Sequence, residues 1–110
     1  GIEIPNLVMM HDFNVTRNHV VFMDLPVVFD LDALATGMPF KFKKEAGARL
    51  GVMPRNGTNA DVRWFEIDPC YVFHPVNAHE VGDTIVLINA GFTRRKALLY
   101  NAISGFAVRL

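Results

Sequence analysis

What the sequence has little of narrows the reading first. A single cysteine, Cys70, stands among 110 residues, so no internal disulfide framework can form and a reducing compartment is the expected setting. No apolar run approaches the roughly 20 residues of a membrane-crossing helix. Neither sign of charge predominates, with 11 Lys+Arg against 11 Asp+Glu. That balance gives no electrostatic case for nucleic acid, and none is expected as a partner. The opening Gly1-Ile2-Glu3-Ile4-Pro5 has neither a basic region nor an apolar one, so it is not a secretory signal. Without an initiator Met, it is the opening expected of a segment from inside a longer protein. No long amphipathic helical pattern precedes residue 90.

What is present is apolar and strand-like. Half of the residues are hydrophobic (51%), nine of them Phe, so a packed core is expected, with apolar surface left over to face further structure. Leu7–Met10 reads as a short strand running into His11-Asp12-Phe13. His19–Phe29 is β-branched and aromatic, a strand interrupted at Pro26, with apolar residues on both faces. Asp30 or Asp32 is placed to cap one helical turn. Lys41, Lys43 and Lys44 mark a solvated surface segment. Arg49–Met53 and Val62–Ile67 read as strands on either side of the Asn56-Gly57 turn, and Gly82-Asp83 precedes another, Thr84–Ile88. Strands separated by turns predict an all-β sandwich, barrel or propeller. The end of the chain differs. Leu98, Leu99, Ala102, Ile103 and Phe106 have a helix-like spacing, but Arg94, Arg95 and Lys96 would oppose the dipole of such a helix.

Two histidines stand out. His74 follows Tyr71-Val72-Phe73 and precedes Pro75, which is expected to end the strand there. An imidazole among large apolar side chains needs a hydrogen-bond partner or a metal, and a capped core histidine is the alternative reading. His11 closes a similar apolar run, 63 positions earlier. A propeller brings strand ends of different blades to one axis, where imidazoles suit Fe, Zn, Cu or Ni. Neither histidine belongs to a local zinc motif.

Four collinear blocks carry a resemblance: Met9–Phe13, Val21–Phe29, Ala48–Arg55 and Trp64–Glu80. From about residue 3 to residue 87 the chain resembles the carotenoid oxygenase family. That family includes carotenoid and apocarotenoid cleavage dioxygenases, lignostilbene dioxygenases and the retinal pigment epithelium isomerase. The resemblance implies about two blades of a seven-bladed β-propeller over residues 1–87, and a non-haem Fe(II) held by four histidines, three of them oriented by glutamates. It implies that His11 and His74 are two of the iron ligands, the other two lying outside this chain. It also implies an apolar small-molecule substrate and O2, and oxidative cleavage of a conjugated C=C bond. Residues 88–110 depart from the blocks and are expected to be a divergent tail with no family match.

The remaining residues read more plainly. Phe13 and Phe73 flank the two histidines and either line an apolar substrate tunnel or belong to the core. His19 and His79 are expected at the surface, Glu80 as a solvated loop charge, and Cys70 as a buried inert thiol. The expected location is cytoplasmic, with peripheral membrane contact by the longer protein and no specific protein partner. The competing reading is an inert β fragment or a non-enzymatic interaction module, since two histidines cannot reproduce a four-histidine site.

Overall fold

A computed structural model describes the backbone of residues 1–95 and 98–110, and the side chains of residues 1–90 and 105–110. Among the described residues, nine strands form three antiparallel sheets. The first sheet has the order β1-β2-β5-β6, from Asn14–Val15, His19–Asp24, Ala48–Pro54 and Arg63–Ile67. β3 (Val27–Phe29) pairs with β4 (Phe40–Phe42) as a small ribbon. β7 (Cys70–Val81), β8 (Thr84–Arg95) and β9 (Leu98–Arg109) make the third sheet, in chain order. The architecture is all-β, as the strand-and-turn pattern predicts.

Local chemistry accounts for most boundaries. Pro26 separates β2 from β3 because it cannot donate to a ladder. Asp30 caps the 3-10 helix Leu31–Thr36, accepting from the Asp32 and Ala33 backbone amides. The same carboxylate receives Lys43 at 2.8 Å and Lys41 at 3.7 Å, so the segment expected to be simply solvated is pinned back on the cap. Its first residues form β4, because Phe40 and Phe42 half-bury against β3. Val81 pairs with Thr84 across Gly82-Asp83, and Gly82 takes a φ of 59° that other residues rarely adopt.

The core lies between the first and third sheets. Val21, Met23, Leu50 and Val52 meet Tyr71, Val72, Ile85, Leu87 and Val108, with Phe65 and Ile67 packed against them. Leu50, Ile85 and Leu87 are fully buried, each contributing about 1.5–3 kcal/mol of transfer free energy.

Two expectations are corrected. Leu7–Met10 is not a strand; only an isolated bridge from Val8 to Val28 forms there, and His11 lies in irregular chain. Pro75 does not end a strand. β7 runs through it, because Phe73 and Val76 are skipped in the pairing with β8 and the resulting bulges accommodate a residue without an N–H. Beyond Leu87, β8 continues to Arg95 and pairs along its length with β9. The helix-like spacing of residues 98–106 yields to that ladder, which satisfies the backbone of both strands. Of the basic start of that segment, Lys96 lies outside the described residues.

Candidate metal centre

His11 and His74 come from segments far apart in sequence and meet edge to face. Their ring centroids are 5.6 Å apart with the planes inclined at 75°. Two imidazoles bound to one ion through nitrogens at ~2.0–2.1 Å have centroids each about 3.2 Å from it, and therefore less than about 6.5 Å from one another. The observed pair satisfies that limit. Both rings are exposed, which corrects the expectation that His74 must offset the cost of burial. Among the described residues neither ring has a hydrogen-bond partner, so neither is committed to a capping role. Among those residues, too, no group of three or more His, Cys, Asp or Glu side chains is gathered as an ion would require. The donor set fits two positions of a histidine-ligated metal and no more.

The bulge at Phe73 shapes the apolar side of the site. In a regular strand Phe73 and His74 would point to opposite faces; the extra residue turns them towards each other, with centroids 6.2 Å apart. Phe73 is also 6.2 Å from the His11 ring and makes an edge contact of 4.5 Å with Tyr71. With Met9, Val27, Met38, Phe40, Phe42 and Tyr71 it lines a cavity of about 340 Å³. Phe13 does not join this group. Half exposed, it leans on Phe22 at 6.2 Å.

Two links hold the histidine-bearing segments together, one on each side of the ring pair. Before it, the buried Tyr71 donates its hydroxyl to the Met9 carbonyl at 3.0 Å, and burial raises the pKa of this phenol. After it, Glu80 gathers the turn that follows β1. Thr16 donates its hydroxyl to Oε1, the Asn18 amide donates to the same oxygen at 2.8 Å, and Asn18 Nδ2 donates to Oε2 at 2.7 Å. His19 Nδ1 lies 3.1 Å from Oε1; an ionised carboxylate can only accept, so Nδ1 carries the proton. The Thr16 hydroxyl first, then the Asn18 amide, hold the Glu80 carboxyl down to about 2. Glu80 is thus an anchored strand residue and not a solvated loop charge, and His19 is half-buried against it. His79 is exposed, as expected.

The sequence separations across these contacts are nearly constant: 62 for Met9 and Tyr71, 63 for the histidines, and 64 for Thr16 and Glu80. The two segments therefore run side by side in the same direction. β7 uses nine steps from Tyr71 to Glu80 where the other segment uses seven from Met9 to Thr16, and its two bulge residues take up the difference.

The match to known proteins follows the same segments. The profile of the retinal pigment epithelial membrane protein family matches residues 1–104. The chain belongs to that family, the carotenoid oxygenases. The match extends past Leu87, to a point within β9. The chain is 46% identical over 90 residues to a carotenoid 9,10(9',10')-cleavage dioxygenase of Crocus sativus, covering 79% of this chain and 16% of that protein. It is 40% identical over 84 residues to an isoeugenol monooxygenase of Pseudomonas putida, covering 76% and 18%. The crystal structure of a Pseudomonas brassicacearum lignostilbene dioxygenase superposes with a TM-score of 0.70 at 29% identity, covering 83% of this chain and 19% of that one. The chain thus spans under a fifth of the length of these relatives, and its sheets are successive parts of the family's seven-bladed propeller.

The remaining candidates carry little chemistry. Cys70 is half-buried, and burial pushes its thiol up to about 11, so it is a poor nucleophile at neutral pH. Among the described residues no helix is long and apolar enough to cross a membrane.

Proposed function

We propose that this chain is the part of a non-haem Fe(II) dioxygenase that supplies two of its iron ligands, His11 and His74, and one wall of its substrate cavity. The observation that carries this is the ring pair, 5.6 Å apart and without hydrogen-bond partners among the described residues, next to Phe73 in the wall of an apolar cavity. The complete enzyme would cleave a conjugated C=C bond of a carotenoid, apocarotenoid or stilbene-like substrate with O2. Iron, when bound, supplies the activation of oxygen. The protein's part is to hold the imidazoles, exclude water and fix which double bond is presented. Phe73 and Tyr71 offer flat apolar faces suited to a conjugated chain. We assign Phe13 no more than a peripheral part, since it points to Phe22.

With two ligands, this chain alone would be inactive; catalysis belongs to the longer protein. A cytoplasmic enzyme that touches membranes peripherally fits the exposed Leu31, Leu34 and Met38. The decisive experiment is metal analysis of the complete protein carrying His11→Ala or His74→Ala. Each should lose bound iron and activity, while His79→Ala should keep both. Full iron occupancy in either ligand variant would refute the assignment.

A further inference from the structure

Glu80 touches neither histidine, yet four groups from one short turn converge on its carboxylate. Thr16 is buried, and the Glu80 and His19 side chains are 17% and 22% exposed. The cluster is therefore partly shielded from water, where charge-assisted hydrogen bonds hold geometry well. The turn it grips leads back through β1 to His11; Glu80 itself lies on the strand that carries His74. With the Tyr71–Met9 bond on the far side, the histidines sit between two fixed points. Removing one point leaves the His11 segment tied at one end only. That segment has little ladder of its own, since β1 is two residues long and His11 precedes it in irregular chain.

We infer that Glu80 is a positioning residue for the metal centre, clamping the turn at Thr16–His19 to β7 and so setting the separation and inclination of His11 and His74. This rests on the reading of the two histidines as ligands. A group that merely stabilised the fold would change the unfolding free energy and leave the metal's surroundings alone. A clamp would change both.

The test uses the complete protein that contains this chain, stripped of metal and titrated with Co(II), whose visible absorption reports the geometry of its ligands. Glu80→Ala should bind Co(II) about tenfold more weakly or worse, the scale on which residues that orient ligands act, and its absorption bands should shift. Glu80→Gln keeps one acceptor oxygen and should fall between it and the parent. His79→Ala, next in sequence but exposed, should match the parent. Should Glu80→Ala not fold, Thr16→Val decides by the same two readouts, since it removes one donor and leaves the carboxylate in place. A folded Glu80→Ala, or in its absence Thr16→Val, with Co(II) affinity within about twofold of the parent and unchanged bands, overturns the clamp. If His11→Ala and His74→Ala weaken binding in that same series, the ligand assignment stands and only the clamp falls. If the parent binds no Co(II), or binds it equally well without those histidines, the ligand assignment fails and the clamp fails with it.

Discussion

Trp64 lies directly across from Gly51 in the β5–β6 ladder, and its ring fills the space a side chain at Gly51 would need. A Cβ built there would stand 2.6 Å from the indole, with the Arg49 guanidinium stacked at 4.0 Å over the ring. Arg49 in turn donates to the buried Asp24 at 2.7 Å. Gly51→Ala must displace the indole and with it the stack, so it should destabilise the fold by about 1–3 kcal/mol. Denaturant unfolding checks this. Trp64→Ala combined with Gly51→Ala should then recover the glycine part of the loss, because the clash has been removed.

Asn89 faces the opposite problem. Its side chain is fully buried on β8, across from Pro75, and neither its carbonyl nor its amide has a partner among the described residues. It continues the inward row of Ile85 and Leu87. A buried unpaired amide costs about 1–3 kcal/mol. Asn89→Leu, similar in size, should therefore leave stability unchanged or raise it by about 1–2 kcal/mol. A loss of stability in equilibrium unfolding would show that the amide holds something the protein needs.

Glu80 ties stability to acid. Its carboxyl is held at about 2 in the folded chain against an ordinary 4.5. A group depressed on folding stabilises fully above its unfolded pKa, and the contribution disappears as pH falls through the folded value. The gain should thus be complete at pH 5 and above, and decline from about pH 4.5 to about pH 2. Asp30 and Asp61 are lowered too, so the informative quantity is the difference between parent and Glu80→Gln. That difference should shrink across this window in urea unfolding at a series of pH values. A constant difference would mean that the carboxylate is not anchored.

The readable parts of this fold are those whose cause is local. Pro26, the Asp30 cap and the Gly82-Asp83 turn act within a few residues, and each lies where its chemistry places it. The two histidines stand out as imidazoles closing apolar runs, but pairing them as ligands rests on the family resemblance, since nothing in a window around either one points to the other. Pro75 misleads because a bulge, invisible to periodicity, lets β7 continue. At the end of the chain the spacing and the charges point different ways, and pairing with β8 makes it a strand. Glu80 and His19 read as separate surface residues for a similar reason. Their partnership spans 61 positions, and a lone acid or a lone histidine carries no mark of a partner so distant.

The bulges on β7 also decide where this chain is free to vary in length. Residues can be gained or lost in the loop from Arg55 to Val62, or around Gly37 to Pro39, without touching the two paired segments. Between Met9 and Thr16, or between Tyr71 and Glu80, one added or missing residue would slide one histidine past the other by a full strand step, about 3.3 Å. Those two stretches act as a matched pair of rulers, whose graduations must stay in step.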